Sequence, residues 1–200
     1  MDTGICIWSS VALRAEASHR SEMVSQLLFG ETYTILEMVT DWYKIRTTDC
    51  AYEGWLYAKQ HYPLTAEEYA LNISAPQYFV RDTFLYVQDT LNHIAAPLFI
   101  GSRFPMPKDG IFSLGNRTYK VCLPQPTALP HHEGLSEQQD LLLDFAFHYL
   151  NAPYLWGGRT PAGIDCSGFV QNVYNSIGIR LPRDAAQQVE FGDIVDFVDE

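Results

Sequence analysis

The apolar residues of this chain change their period once, and that change restricts the fold more than any single motif does. From Cys6 to about Tyr62, short runs such as "ICIWSSVALRA", "ETYTILEMV", "DWYKIRT" and "YEGWLYA" alternate apolar and polar positions, with Tyr33 and Ile35 on one side. Runs of this kind between turns fit half-buried strands, and several at this spacing predict a small barrel. A second such stretch runs from about Tyr78 to Leu123, through "YFVRDTFLYVQD", "APLFIGSRFPM" and "GIFSLGNRTYKVCL". After the Pro-rich break "PQPTALPHHEG" the period becomes that of a helix. The expected class is α+β. The expected divisions are a β domain at 1–62, a linker at 63–77 with one helical turn, a second β domain at 78–126, a linker at 127–136, and a helical segment at 137–200.

In that last segment, Ser136 and Gln139 have the spacing of a capping box, and Leu142, Phe145, Ala146 and Tyr149 share one helix face. Asn151-Ala152-Pro153 ends this helix. A second helix is expected to open at Asp165 and Cys166, with Phe169, Val170, Val173, Tyr174 and Ile177 as its apolar stripe and Gly178 beyond its end. A cysteine in the first turn differs from one in a core, because the unpaired amides there favour the thiolate. By position alone, Asp165 reads as the N-cap of this helix and Ser167 as a first-turn serine.

Composition removes several functions. A net charge of −11 leaves no basic surface for the counterion release that drives nucleic-acid binding, and none for anionic lipid. Cys6, Cys50, Cys122 and Cys166 contain no CxxC pair, so neither a zinc site nor a dense disulfide framework is expected. His131-His132 lie in the Pro-rich break and read as a solvated linker, not a metal site. No apolar run approaches the roughly 18 residues of a membrane span. The start "MDTGICIWSS" is not a signal peptide, which gives a cytoplasmic expectation, or an exported one if a leader has been removed.

The stretch "APYLWGGRTPAGIDCSGFVQNVYNSIGIRLPRDAAQQ" resembles the nucleophile region of the NlpC/p60 family of papain-like cysteine peptidases. "LRAEASHRSEMVSQLLFGE" and "YEGWLYAKQ" resemble the bacterial SH3-like domain fused to part of that family. The resemblance implies one or two SH3-like β-barrels followed by a papain-like catalytic domain. It also implies cleavage of the γ-D-glutamyl–diamino acid bond in murein peptides with a free N-terminal L-alanine, as in recycling of imported wall fragments. Cys166 matches the nucleophile. Tyr154, Asp165 and Ser167 match substrate-binding positions, and Glu22 and Tyr52 match positions of the SH3-like domain that close the same pocket. Trp156 reads as a core or loop anchor and not as a substrate contact, and Gly157 and Gly158 as room for the substrate. No metal or organic cofactor is implied.

One departure stands out. The family places its catalytic histidine after the nucleophile, whereas all six histidines here precede Cys166. The papain-like domain is therefore expected to stop short, without its base, leaving Phe145, Phe169 and Val173 uncovered. His148, on the preceding helix, is the one in-chain candidate weighed for the base. Two alternatives remain: a non-catalytic module that binds wall peptide, and another papain-like chemistry, amidase or acyltransferase, on the same helix.

Overall fold

The computed structural model describes residues 2–122 and 136–193. The Pro-rich break with His131-His132, and the last seven positions, lie outside the described residues. Among those described, the first unit is an antiparallel seven-stranded sheet. Its strands are β1 (Thr3–Ile5), β2 (Ser10–Arg14), β3 (Met23–Leu28), β4 (Thr32–Val39), β5 (Trp42–Thr47), β6 (Glu53–Tyr57) and β7 (Pro63–Leu64), in the order β3-β2-β6-β5-β4-β1-β7. The period-two reading holds where it was made. Tyr33 and Ile35 on β4 point inward with Val11, Leu13, Leu27, Ile45 and Leu56. An irregularity in the β4–β5 register between Ile35 and Glu37 then shifts the alternation, and Met38 and Val39 face solvent.

The expected linker is more ordered than its sequence suggested. β7 pairs with β1, and α1 (Ala66–Ser74) follows, with Thr65 and Glu68 forming a reciprocal capping box. The second unit holds β8 (Gln77–Phe79), β9 (Phe84–Asp89), β10 (Ala95–Phe99), β11 (Arg103–Pro105), β12 (Ile111–Leu114) and β13 (Arg117–Cys122). Four of these form a sheet in the order β10-β9-β13-β12, while β11 pairs with β8. The two β units share a core: Ile5, Phe29 and Leu64 from the first pack with Val87, Leu98, Phe104, Phe112 and Tyr119 from the second.

The helical segment contains α2 (Glu137–Phe147), the short hairpin β14 (Arg159–Thr160) and β15 (Gly163–Ile164), α3 (Cys166–Asn175) and α4 (Ala185–Gln188). The capping box of Ser136 and Gln139 forms as expected. The expected uncovering of Phe145, Phe169 and Val173 is corrected. Phe145 is 3% and Val173 7% exposed, in a cluster with Ile100, Tyr149 and Ile164, and Phe169 is half-buried against it. The cover comes from the second β unit, through Phe79 and Ile100. The apolar surface that remains open lies elsewhere, at Leu150, Leu155, Trp156, Val189 and Phe191.

The stripe expected on α3 is also incomplete, because its buried face carries Gln171 and Asn172. Asn172 donates to the carbonyl of Arg159 at 2.8 Å and to the Tyr149 hydroxyl at 3.0 Å, and Gln171 donates to the carbonyl of Leu181 at 3.0 Å. Buried amides satisfied in this way fix neighbouring loops more tightly than apolar contacts would.

A buried ion network joins all three parts of the chain. The guanidinium of Arg159 donates to both oxygens of Glu31 at 2.9 Å each and to the carbonyl of Gln26 at 2.7 Å. Glu31 also faces Arg103 of the second β unit at 3.7 Å. Arg103 in turn pairs with Asp49, which lies 3.6 Å from Arg180 beyond α3. The first unit is thereby held against the helical segment, and that contact builds the candidate site.

Candidate active site

Asp165 is extended (φ −101°, ψ 172°) and caps α3, so Cys166 is the first residue of the helix. The amides of Cys166 and Ser167 have no acceptor within the helix, because the first turn never does. Cys166 is exposed, whereas Cys6 is buried and its thiol is pushed well above the ordinary range by that burial. Iodoacetamide is therefore expected to modify Cys166 ahead of Cys50 and Cys122, with Cys6 last, as read by peptide mass. Labelling of Cys166 no faster than of Cys50 would remove it as a nucleophile.

Cys166 opens on a cavity of about 280 Å³. All six residues singled out in the sequence line it: Cys166, Tyr154, Asp165 and Ser167 from the helical segment, and Glu22 and Tyr52 from the first β unit. Trp156, Arg183 and Asp184 line it too, and the sequence reading had given none of them a role there. Trp156 is 60% exposed and donates its indole N–H to Glu22 Oε1 at 2.5 Å, so it is a wall of the cavity, not an internal anchor.

Asp165 is not positioned as a simple reader of cations. Its Oδ1 accepts from the Gly168 amide at 2.7 Å and from Ser167 Oγ at 3.3 Å. Its Oδ2 accepts from the Gly157 amide at 2.8 Å and from Arg183 Nη2 at 2.7 Å. A carboxylate offers about four acceptor positions, and here four donors fill them. Burial alone would raise the Asp165 carboxyl. The Arg183 hydrogen bond, the two amides and the Arg183 charge outweigh it and hold the group below the usual carboxylate range. The other carboxylates of the cavity are Glu22, bonded to Trp156, and Asp184, whose charge acts on the Tyr52 phenol. Burial first, and then the Asp184 charge, pushes the Tyr52 phenol up to about 12, so it stays protonated at neutral pH.

The two glycines of "LWGG" serve protein packing here, in place of the expected clearance for substrate. Gly157 has φ +75°, and a Cβ there would lie 2.3 Å from the carbonyl oxygen of Met23 on β3. A Cβ on Gly158 would lie 2.4 Å from the carbonyl oxygen of Gly163. Both let the loop before Cys166 lie against the first sheet and the β14–β15 hairpin.

Among the described residues, no histidine lines the cavity. His148, the in-chain candidate for the base, faces a different cavity with Arg81, Asp82 and Asp144, where its Nδ1 meets Thr83 Oγ1 at 2.8 Å. His61 bonds the Tyr33 hydroxyl, and His19 packs edge-on to Trp42 and Tyr57.

Residues 151–198 match the NlpC/P60 family, and residues 9–61 match the bacterial SH3 domain. A gamma-D-glutamyl-L-lysine dipeptidyl-peptidase of Bacillus cereus (strain ATCC 10987 / NRS 248) is 28% identical over 200 residues, covering 90% of this chain and 58% of that protein. A protein of the same name from Bacillus subtilis (strain 168) is 26% identical over 177 residues, covering 84% and 58%. The chain thus spans 58% of the length of each of these curated relatives. The crystal structure of an NlpC/P60 family protein from Bacillus cereus ATCC 10987 superposes with a TM-score of 0.77 at 20% identity, over 97% of this chain and 78% of that one. At that identity the likeness is one of fold. The chain therefore carries a bacterial SH3 domain at residues 9–61, ahead of an NlpC/P60 segment at residues 151–198.

Proposed function

We propose that this chain forms the nucleophile and substrate-reading part of a cysteine peptidase that hydrolyses the γ-D-glutamyl–diamino acid bond of murein peptides with a free N-terminal L-alanine. The observation that carries the reading is the placement of an exposed thiol at the first position of α3, inside a cavity walled by Glu22 and Tyr52 of the SH3 domain. The names of the two curated relatives support the bond type.

In this reading Cys166 Sγ attacks the γ-carbonyl carbon of D-glutamate. The oxyanion that forms accepts hydrogen bonds from the free amides at the start of α3. The C–N bond then breaks, the leaving amine takes a proton, and water releases the dipeptide from the thioester. The proton is handled by a histidine that follows the nucleophile in the family's order of catalytic groups, and residues 167–200 contain none. Glu22 and Asp184 face the alanine ammonium. Asp165 holds the first turn of α3 and the Gly157 loop in place.

Peptides with N-acetylated alanine are expected to lose most of their affinity for this site, because a carboxylate is left without its charged partner. The expected cost is roughly 2–5 kcal/mol. Calorimetric titration of a Cys166→Ala variant with free and acetylated L-Ala-γ-D-Glu-L-Lys measures it, and equal affinity would overturn the ammonium clamp. A binding module without catalysis is the second reading, favoured by the lack of a described histidine at the cavity. It predicts tight binding of the free peptide with no turnover in any longer form of the protein.

A further inference from the structure

The peptidase reading uses Cys166, but the charged group buried deepest behind it is Arg183, which that reading leaves without a task. Arg183 is 2% exposed, and its guanidinium makes three separate contacts. Nη2 donates to Asp165 Oδ2 at 2.7 Å, Nη1 donates to Ser167 Oγ at 2.7 Å, and Nε donates to Ser25 Oγ on β3 at 3.1 Å. Asp165 and Ser167 are the residues on either side of Cys166, and Ser25 belongs to the SH3 domain. One side chain therefore grips the chain before and after the nucleophile and ties both to the other wall of the cavity.

The electrostatic side of this arrangement is as direct as the geometric one. Asp165 directly precedes Cys166 and lines the same cavity, and its ionised carboxylate would be costly to bury at the start of α3 without a cation. The charge of Arg183 cancels that carboxylate at the closest possible point, in a buried pair whose partner is 7% exposed. Glu22 and Asp184 add further negative charge around the same cavity. Without Arg183 nothing else among the cavity's lining residues is cationic.

We propose that Arg183 is a positioning residue for Cys166: its three-way contact with Asp165, Ser167 and Ser25 neutralises the cap of α3 and keeps the thiol reactive only while the SH3 domain is docked. The inference rests on the reading of Cys166 as a nucleophile, but its test needs no turnover. The measured quantity is the iodoacetamide rate at Cys166 in the folded chain at neutral pH, with Cys50 and Cys122 as internal references.

Arg183→Met is expected to slow labelling of Cys166 roughly tenfold, since the buried Asp165 carboxylate loses its cation and the start of α3 loses its anchor to Ser25. Labelling at the two reference cysteines should hold. Asp165→Asn keeps an N-cap while removing the charge. The double variant Asp165→Asn/Arg183→Met should recover most of the lost rate, which a purely structural role for Arg183 would not allow. Arg183→Lys, which keeps the charge but not the fork, should fall between the two. Unchanged labelling in Arg183→Met, or equal loss in the single and double variants, would overturn the proposal. If Cys50 becomes as reactive as an unfolded control in Arg183→Met, the comparison moves to Arg183→Lys and Ser25→Ala. Equality of both with the parent would overturn the proposal again. Peptide hydrolysis, assayed separately in a longer form of the protein, tests the nucleophile itself, so the two failures are distinct.

Discussion

Residues 1–200, given L-Ala-γ-D-Glu-L-Lys, are expected to release lysine several orders of magnitude more slowly than the same chain extended through a histidine-bearing strand. The expectation follows from what surrounds Cys166: tyrosines, carboxylates, an arginine and a tryptophan, and no imidazole among the described residues. Among the described residues around it, the thiol therefore has no imidazole, the group that most often takes such a proton during attack and returns one to the leaving amine. Catalytic groups that act as a unit are strongly non-additive, so loss of one removes nearly the whole effect. Lysine release from both forms, at matched concentration of alkylatable Cys166, measures the ratio. Turnover by the shorter form within a factor of a few of the longer one would place the base inside these 200 residues. Variants His131→Ala, His132→Ala and His148→Ala would then identify it.

Replacing Glu31 by Gln is expected to destabilise the fold by about 3–5 kcal/mol, because it strands the buried Arg159 guanidinium. Few single changes in the chain should cost as much, and this one lies outside the cavity. Urea unfolding of the two proteins measures the difference. A loss below about 1 kcal/mol would mean that the network is solvated in solution. Replacing both partners by apolar residues, Glu31→Leu with Arg159→Met, should recover most of the loss, since no charge is then left unpaired. The same pair sets an acid limit. Burial would raise the Glu31 carboxyl, but the charge and hydrogen bond of Arg159, with Arg103 behind it, hold it below its ordinary value of 4.5. A carboxyl lowered on folding contributes stability that is fully present above its unfolded value and fades as pH falls through the folded one. Stability should therefore decline below about pH 4.5, and less so in the doubly apolar variant.

Local signals in the sequence were read correctly where the chemistry is local. Cys166 at a helix start, the Ser136–Gln139 box and the inward pair Tyr33 and Ile35 each depend on neighbours within a few positions. Thr65-Ala66-Glu67-Glu68 carries the same capping signal as Ser136, yet the Pro and Ser on either side made the stretch read as a linker. What could not be read is the set of partners far apart in the chain. Arg159 meets Glu31 across 128 positions, and Arg183 meets Ser25 across 158. An arginine has no periodic signature that tells a buried fork from a solvated one, and only the folded packing of β3 against the loops around α3 decides it. The polar face of α3 was missed for a related reason: Gln171 and Asn172 are buried by the carbonyls they serve, not by hydrophobicity.

The Trp156–Glu22 hydrogen bond spans 134 positions, and this has a consequence for the protein during its synthesis. The SH3 strands leave the ribosome before α3 and can begin to pair among themselves, since three of the sheet's six pairings, β2–β3, β4–β5 and β5–β6, join consecutive strands. Cys166 emerges long afterwards, and its cavity exists only once the loop around Gly157 has settled on Met23. A nascent chain therefore carries a thiol without a binding wall, and the wall is added by a late docking step of high sequence separation, the slow kind. The order of emergence thus withholds the complete cavity until both of its walls have left the ribosome.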